Sequence, residues 1–514
     1  MIKLLHLEAN NYELIMKFIG YDVGSSSIKA SIVDQNGKVI AHAKYPESEM
    51  SIDSPKIGWA EQDPEQWWQN LRILTQKIIA ESHIDKNEIK GIGISYQMHG
   101  LVLIGKDKQV LRPSIIWCDS RAVETGDKAF ADLGEEVCMN KLLNSPGNFT
   151  ASKLKWVKEN ESEVYEKIWK FMLPGDFIAL KLSGEATTTV TGLSEGVLWD
   201  FQKHQASKTL LNHWGIDESL VSTVVDNFTE QCVVSKQGAE ESGLPEGIPI
   251  LYRAGDQPNN ALSLNVMNPG EIAATGGTSG VVYGVTDTIN SKESVRVNNF
   301  AHINHTKDQP RIGKMLCLNG AGIQYSWLRH QVDQKIHSYQ ELNDLASQIP
   351  IGSDGIIVLP FGNGAERVLK NKDIGSSTYN INFNRHKSAH LFRAGLEGIA
   401  YSFVYGTEIL MNDGLQKGII KAGGDNLFRS SLFAQSIATL VDTEIRIFDT
   451  TGSTGAARAA AIGAGAFDTL NDILTEKDIT TTYIPDFKNI DHYNESYGKW
   501  KNKLEQVLAN SYEK

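Results

Sequence analysis

The chain has 514 residues, a formal net charge of −12 and 41% hydrophobic residues. This length exceeds what one hydrophobic core organises, so two large domains are expected. The acidic balance argues against a nucleic-acid or anionic-membrane partner, and no apolar stretch is long enough to span a membrane. The cysteines have no metal or redox spacing, which favours reduced thiols in a cytoplasmic protein; they are Cys118, Cys138, Cys232 and Cys317.

The N-terminal segment, residues 1–15, precedes the first predicted strand. It lacks the basic start, long apolar segment and small-residue cleavage site of a secretion signal. We interpret it as an extension that is not native, with Met16 as the natural start; the alternative is a short N-terminal helix.

The first half begins with strand-forming segments. Residues 17–33 predict two strands around a glycine-rich loop, and Asn36-Gly37 favours a hairpin turn back into a third strand over 39–43. Asp63-Pro64 has the cap and first-turn residues that begin a helix. Further short strands are predicted over 90–95, 101–104, 114–117 and 248–252, with mostly helical and irregular structure over 122–247 and a helix beginning at Pro258.

The second half repeats this plan. Hairpin strands are predicted over 271–285, a helix after 320–324, a long helix over 390–411, a strand over 419–422 and a small-residue helix over 452–465. No low-complexity linker separates the halves, so their junction is expected to be compact, near residues 255–270.

One kind of loop occurs in both halves. Residues 18–28 and 272–282 each contain an apolar run, then glycine and hydroxyl residues, then a β-branched run. Aligned on Gly24 and Gly277, the copies lie 253 positions apart (277 minus 24). Each predicts a hairpin whose turn presents N–H groups and hydroxyls to an anion. A matched pair is a stronger signal than a lone glycine-rich turn, and facing turns would clamp the phosphates of a nucleotide.

The two loops differ in charge. In the first, Asp22 stands beside Gly24, Ser25 and Ser26, and a carboxylate beside a phosphate cradle requires a cation between them, for which Mg²⁺ is the usual choice. The alternative is that Asp22 only caps the turn. The second loop has no acid, so Gly277 and Thr278 would hold phosphates.

Candidate substrate residues follow predicted strands. Asp256 ends an apolar strand, where a general base for a hydroxyl acceptor belongs, although an ordinary helix cap is the alternative. Met98 and His99 could bind a polyol, and Trp117 could stack on its carbon chain; all three could equally be core. Gly423-Gly424 would let adenine or ribose approach the backbone, or form a tight turn.

Together these motifs resemble the FGGY family of carbohydrate kinases over nearly the whole chain. The motifs that carry the resemblance are 22–27, 58–64, 117–121, 255–257, 275–278, 397–400 and 422–424. The resemblance implies an α/β fold of two actin-like, ribonuclease H-like domains flanking a cleft. We expect the sugar-side domain over 16–260 and the nucleotide-side domain over 261–514.

The segment Gln97-Met98-His99-Gly100 looks like the substrate loop of the family's xylulose-phosphorylating members, whereas its glycerol kinases carry Arg-Glu there. The resemblance implies D-xylulose and ATP as substrates and Mg²⁺ as cofactor. His99 would contact the sugar, with Met98, Gly100 and Trp117 beside it, and Asp256 would be the base and a second metal-side acid. On the nucleotide side it implies Gly320, Gln324 and Gly424.

Two segments depart from the family pattern. Gln257 after Asp256 looks like the glycerol kinases rather than the Asp-Asn of the xylulose enzymes, although either amide can bind a hydroxyl. Val368-Leu369 replace the usual Thr-Pro after Glu366-Arg367.

The alternatives to a xylulose enzyme are a family member acting on ribulose, gluconate or a related polyol, and a sugar-responsive ATP-binding regulator that transfers nothing. The sequence leaves the oligomeric state open, with a homodimer among the options.

Overall fold

The computed structural model describes residues 16–332, 338–467, 469, 472 and 478–510. The interpretation of residues 1–15 falls outside these ranges. The strands, in chain order, are β1 Lys17–Val23, β2 Ile28–Asp34, β3 Val39–Tyr45, β4 Glu61–Gln62, β5 Ile89–Tyr96, β6 Val102–Gly105, β7 Ser114–Ile115, β8 Ile168–Met172, β9 Thr187–Thr189, β10 Trp199–Asp200, β11 Gln205–Ala206, β12 Thr223–Val225, β13 Cys232–Val233, β14 Pro249–Gly255, β15 Ile272–Gly276, β16 Gly280–Thr286, β17 Asn298–Ala301, β18 Ile312–Leu318, β19 Ile357–Leu359, β20 Ser377–Tyr379, β21 Ile420–Gly423, β22 Ile445–Phe448 and β23 Ile479–Tyr483.

The α-helices complete the two halves. They are α1 Pro64–Ser82, α2 Val123–Leu133, α3 Glu135–Lys141, α4 Thr150–Asn160, α5 Ser162–Tyr165, α6 Pro174–Ser183, α7 Val190–Glu195, α8 Lys208–Trp214, α9 Lys236–Ser242, α10 Asp256–Ser263, α11 Gly322–Gln331, α12 Tyr339–Ser347, α13 Ser388–Asn412, α14 Ser431–Val441, α15 Gly452–Gly463 and α16 Ile490–Asn510.

Each half is built on one mixed sheet, and the two sheets have the same central plan. The first has the order β13-β14-β5-β1-β2-β3 and the second β17-β18-β16-β15-β21-β22-β23. In the first, β1 pairs antiparallel with β2 and parallel with β5. In the second, β15 pairs antiparallel with β16 and parallel with β21. The predicted duplicated α/β architecture is therefore confirmed.

The second half also returns to the first, because α15 lies directly on β1 and β5. This contact requires glycine at two sheet positions. A Cβ on Gly20 would overlap the backbone of Ala457, and one on Gly93 would overlap the carbonyl of Ala456. The small residues predicted for this helix therefore serve close packing, as expected from their composition.

One local prediction differs from the structure. Helix α10 begins at Asp256, two residues before Pro258, because the chain turns helical as soon as β14 ends. The region 122–247 is mostly helical and irregular, as expected, and also contains short strands, of which β8 pairs antiparallel with β6.

Candidate functional site

Three candidate segments meet at one edge of the first sheet. Strands β1, β5 and β14 run parallel, and the register pairs Asp22 with Ser95 and Gly255 with Tyr96. Asp22, the 97–100 segment and Asp256 therefore leave the sheet on the same side. The carboxyl ends of parallel strands are where open α/β sheets place ligands.

Asp22 and Asp256 lie at this edge, close enough for the charge of Asp22 to affect Asp256. Burial raises the pKa of Asp22, and the Lys29 charge and a hydrogen bond from Ser95 Oγ to Asp22 Oδ1 (3.1 Å) oppose that shift. Burial and the charge of Asp22 raise the pKa of Asp256 to about 7, while its hydrogen bonds with Gln257 oppose the increase. The charge of Asp22 thus disfavours the ionisation of Asp256.

Asp256 is the first residue of α10, and Gly255 occupies the cap position. The Asp256 carboxyl therefore lies in the first turn of α10, and Asp256 is not the N-cap of that helix. In the same helix, Asn260 Nδ2 donates to Thr275 Oγ1 at 3.0 Å. That hydrogen bond ties the segment carrying Asp256 to the strand that leads into the second glycine-rich loop.

Within the described residues, no three His, Cys, Asp or Glu side chains cluster closely enough to hold a metal ion. Two neighbouring carboxylates with raised pKa values still fit a hard divalent cation, because its charge would offset theirs. Mg²⁺ commonly takes one or two protein carboxylates and completes its shell with water and phosphate oxygens. The donor set at Asp22 and Asp256 matches that mode.

His99 is held in one tautomer. Burial lowers the pKa of its imidazole to about 3, so the ring is neutral. Its Nδ1 lies 3.0 Å from the carbonyl oxygen of Glu195. A carbonyl only accepts, so Nδ1 carries the hydrogen and Nε2 keeps a lone pair that can accept a hydrogen bond from a hydroxyl. The ring packs edge-on to Phe149, at 4.8 Å between centroids, and against Phe300 of the second half, at 5.5 Å.

Lys153 is a positioning residue that the sequence analysis missed. It is fully buried on α4, where its Nζ donates to the carbonyl oxygens of His99 (2.8 Å) and Ile116 (3.0 Å). His99 has a left-handed backbone, φ 61°, which this contact holds in place. Burial lowers the pKa of Lys153 to about 7, against the attraction of Asp119. One side chain therefore fixes the ends of both segments that bear His99 and Trp117.

The neighbours of His99 differ in exposure. Trp117 is 52% exposed, so its ring is available for stacking. Met98 is 4% exposed and its side chain lies over Gly255. A Cβ on Gly100 would come within 2.7 Å of Pro174 Cγ, so this glycine allows the segment to pack closely. Asp119 forms an ion pair with Arg121 at 2.7 Å, which leaves Asp119 in a structural role.

The first glycine-rich loop is partly closed on itself. The amide of Gly24 donates to the carbonyls of Asp22 and Ser27, both at 3.2 Å. The carbonyl of Ser25 accepts from Gln62 Nε2 at 2.7 Å, and that of Ser26 accepts from the amide of Met50 at 2.8 Å. Ser26 is exposed. The loop is therefore well fixed, with serine side chains at its tip.

The second glycine-rich loop is supported by a helix. Amides at the start of α11, those of Gly322 and Ile323, donate to the carbonyls of Gly277 and Thr278, both at 3.0 Å. A cavity of about 360 Å³ opens beside this loop. It is lined by Gly276, Gly277, Thr278, Gly322, Ile323, Tyr325, Ser326, Tyr339, Asn343, Asp425, Asn426, Leu427, Arg429 and Ser430.

The other predicted nucleotide residues lie around this cavity rather than in its wall. Gly320 is buried, and its amide donates to Glu366 Oε1 at 2.8 Å. Gln324 has a buried Oε1 without a partner in the described chain. Gly423 ends β21, and Gly424 lines an adjoining cavity of about 370 Å³.

Sequence reasoning missed the aromatic part of this cavity. The rings of Tyr325 and Tyr339 stack at 5.8 Å with 21° between their planes, and the guanidinium of Arg329 lies 4.7 Å from the Tyr339 centroid. These residues are on two helices separated by residues that the structure does not describe. The contact between these side chains depends on tertiary packing, which no local sequence motif predicts.

None of the helices within the described ranges is both long and apolar enough to cross a membrane.

Family comparisons cover both halves of the chain. The model of the N-terminal domain of the FGGY family of carbohydrate kinases matches residues 17–263, and that of the C-terminal domain matches residues 272–464. The chain is 28% identical to the xylulose kinase of Bacillus subtilis over 500 residues, covering 95% of this chain and 96% of that protein.

Solved structures show the same fold. The xylulose kinase of Rhodospirillum rubrum is similar with a TM-score of 0.84 at 24% identity, over 97% of this chain and all of that one. The gluconate kinase of Lactobacillus acidophilus is similar with a TM-score of 0.83 at 22% identity, over 96% of this chain and 99% of that one. Nearly equal scores for proteins named for different sugars support the fold without choosing a substrate.

Proposed function

Because the chain belongs to the FGGY family of carbohydrate kinases, we propose that it transfers the γ-phosphoryl group of ATP to the 5-hydroxyl of D-xylulose. The products are D-xylulose 5-phosphate and ADP. The observation that carries the proposal is that Asp256 and His99 lie at one sheet edge. There, a carboxyl with a pKa of about 7 is available as a base, and a neutral imidazole is available to accept a hydrogen bond from a hydroxyl.

Asp256 is the base for the attacking hydroxyl. A bond forms between the sugar oxygen and the γ-phosphorus, the bond from phosphorus to the ADP oxygen breaks, and the hydroxyl proton passes to the Asp256 carboxylate. A base with a pKa of about 7 suits this role, since about half of it is ionised at neutral pH and it is still basic enough to take the proton.

The sugar is held on the side of the first half. His99 accepts a hydroxyl hydrogen bond through Nε2, and the exposed Trp117 ring covers the apolar side of the carbon chain. Met98 and Gly100 shape the floor between these groups, while Gln257 supplies an amide next to the base. These assignments rest on position at the sheet edge and on the family resemblance.

ATP is held mainly on the side of the second half. The cavity beside the Gly277-Thr278 turn would take the nucleotide, with its phosphates toward that turn and its base toward the paired tyrosines. Ser25 and Ser26 would donate to the phosphates from the first half. The Gly24 amide already donates within its own turn, so the serines are the donors that this loop offers. The remaining nucleotide-side residues lie outside the wall of this cavity and would support it; they are Gly320, Gln324, Gly423 and Gly424.

Asp22 and Asp256 would hold Mg²⁺ brought with the nucleotide. When bound, this ion would offset the negative charge of the phosphates. The carboxyl of Asp22, on β1, lies beside the first residue of α15: a Cβ on Gly452 would be 2.8 Å from Asp22 Oδ2.

The experiment that tests the proposal identifies the product. The protein is incubated with ATP, Mg²⁺ and D-xylulose, and the product is assigned by phosphorus–proton correlation NMR. We expect a phosphate ester on C5. An ester on C1, or only inorganic phosphate, would contradict the proposed reaction.

A further inference from the structure

A buried carboxyl beside the sugar edge has no ion-pair partner. Glu195 ends α7 and is 2% exposed, and within the described chain neither of its carboxyl oxygens has a hydrogen-bond partner at ordinary distance and angle. The buried hydroxyl of Tyr96 is its neighbour and the side chain best placed to donate to it. A carboxylate has about four acceptor sites, so most of the hydrogen-bonding capacity of Glu195 is not used by the folded chain.

This is unusual even for this molecule. The other carboxyl residues of the described chain that are at most 7% exposed all have partners: Glu61 has Arg112 and Arg121, Asp119 has Arg121, Asp176 has Arg253, Glu397 has Arg393, Asp413 has Lys314, and Asp200 and Glu366 accept from backbone amides. Burying a carboxyl without a partner costs folding free energy. Such a cost is expected where a ligand supplies the missing partner.

The position of Glu195 links it to the acceptor site. Its Oε2 lies 2.5 Å from where a Cβ on Gly255 would stand, so the carboxyl fills the space immediately before Asp256. The Met98 side chain approaches the same point, with Cγ at 2.5 Å and Sδ at 3.2 Å. The backbone carbonyl of Glu195 is also the group that fixes the tautomer of His99. Glu195 therefore lies among the base, the thioether and the imidazole.

We propose that Glu195 is a specificity-determining residue whose carboxyl hydrogen-bonds a second hydroxyl of the acceptor sugar, next to the hydroxyl that Asp256 deprotonates. This assignment deepens the proposed function and rests on it. The ligand class is a small polyol or ketose with adjacent hydroxyls. Met98, unbranched and flexible, can shift to let the sugar reach the carboxyl.

The chemistry of the carboxyl suits this task. Burial and the neighbouring charge of Asp256 raise the pKa of Glu195 well above its ordinary value. A carboxyl accepts from a hydroxyl when ionised and both donates and accepts when protonated, so it can bind a hydroxyl in either state. The adjacent Tyr96 hydroxyl can complete the hydrogen bonds of that group.

The test separates sugar recognition from folding. Glu195→Gln keeps the shape and part of the hydrogen bonding, and Glu195→Met keeps only approximate volume. Glu163→Gln, the same chemical change at an exposed position on α5, is the control. For each protein, sugar affinity is measured by titration calorimetry without ATP, KM for ATP by ADP release, and the thermal midpoint by calorimetry.

We expect Glu195→Met to weaken D-xylulose binding at least about tenfold, with Glu195→Gln in between and KM for ATP within about twofold. The thermal midpoint should stay level or rise, because the substitution removes a carboxyl whose burial costs folding free energy. A lower midpoint with sugar and ATP affected alike would show a structural role and overturn the assignment.

Deoxy analogues give the sharper comparison. In the wild type, 4-deoxy-D-xylulose should bind more weakly than D-xylulose, and in Glu195→Met that difference should disappear. If the difference persists, Glu195 does not contact that hydroxyl and the inference fails alone. If the wild type phosphorylates no sugar, the proposed function fails first, and the assignment with it.

Discussion

At the scale of single residues, the proposed reaction depends most directly on Asp256. In Asp256→Asn the amide can still hydrogen-bond a hydroxyl but cannot take its proton. We expect turnover to fall by a factor of about 10² or more, while the sugar still binds measurably. Stopped assays of ADP release give turnover, and calorimetry gives sugar affinity.

Asp127→Asn, on the exposed surface of α2, is the matched control and should behave as the wild type. Near-normal turnover of Asp256→Asn would remove this residue from the mechanism.

The raised pKa of Asp256 predicts a pH dependence. The carboxyl acts as a base only when ionised, and its pKa is about 7. With subsaturating ATP and sugar, the rate should therefore fall about tenfold per pH unit below that value and level off above it. A profile that is flat between about pH 5.5 and 7.5, with an unchanged thermal midpoint over that range, would contradict the assignment.

His99 is expected to contribute to binding more than to chemistry. In His99→Ala the Nε2 acceptor and the ring between Phe149 and Phe300 are both lost. We expect KM for the sugar to rise about tenfold and KM for ATP to stay close to normal. His492→Ala, at an exposed position on α16, is the control. An unchanged KM for sugar would show that another group binds the hydroxyl.

These residues were accessible from the sequence to different degrees. Asp256, His99 and Trp117 could be proposed because each follows a recognisable short strand, and strand ends share an edge. Lys153 and Glu195 could not, since each lies within an ordinary helical segment. Their positions beside His99 exist only after α4 and α7 pack against the sheet edge.

At the scale of elements, the contact of α15 with β1 and β5 sets how the halves are joined. A Cβ on Gly93 would overlap the Ala456 carbonyl, so Gly93→Ala has to push the helix away. We expect a loss of about 3 kcal/mol or more in the free energy of unfolding. Denaturant titration measures it.

Gly498→Ala is the opposite case, because nothing lies within 4 Å of its Cβ position on α16. This variant should gain about 0.5–1 kcal/mol from the better helix propensity of alanine. Equal stabilities for the two variants would show that the close packing of α15 does not matter.

Element types were predictable from the sequence, and element starts less so. The Asn-Gly turn and the Asp63-Pro64 start were found where local chemistry decides the backbone. For α10, proline suggested a start at residue 258, but the helix begins at Asp256. The end of β14 determines that start, and a sheet edge is a tertiary feature.

At the scale of the whole molecule, the duplicated loop predicted two similar halves, and the two sheets confirm it. The path of α15 back onto the first sheet was not predictable, because an Ala- and Gly-rich helix can pack closely on either half. Cross-contacts at Phe300 and Thr275 bring second-half residues to the sugar side. The preference for phosphoryl transfer to a sugar over transfer to water should therefore depend on both halves together.

The most direct measurement is ADP release with ATP and Mg²⁺ across D-xylulose, D- and L-ribulose, gluconate, glycerol and a blank without sugar. We expect a rate with D-xylulose far above all the others and a blank near background. A higher rate with a different sugar would agree with sugar kinase activity but contradict D-xylulose as the substrate. Equal rates with and without sugar would contradict phosphoryl transfer to sugar and favour an ATP-binding regulator.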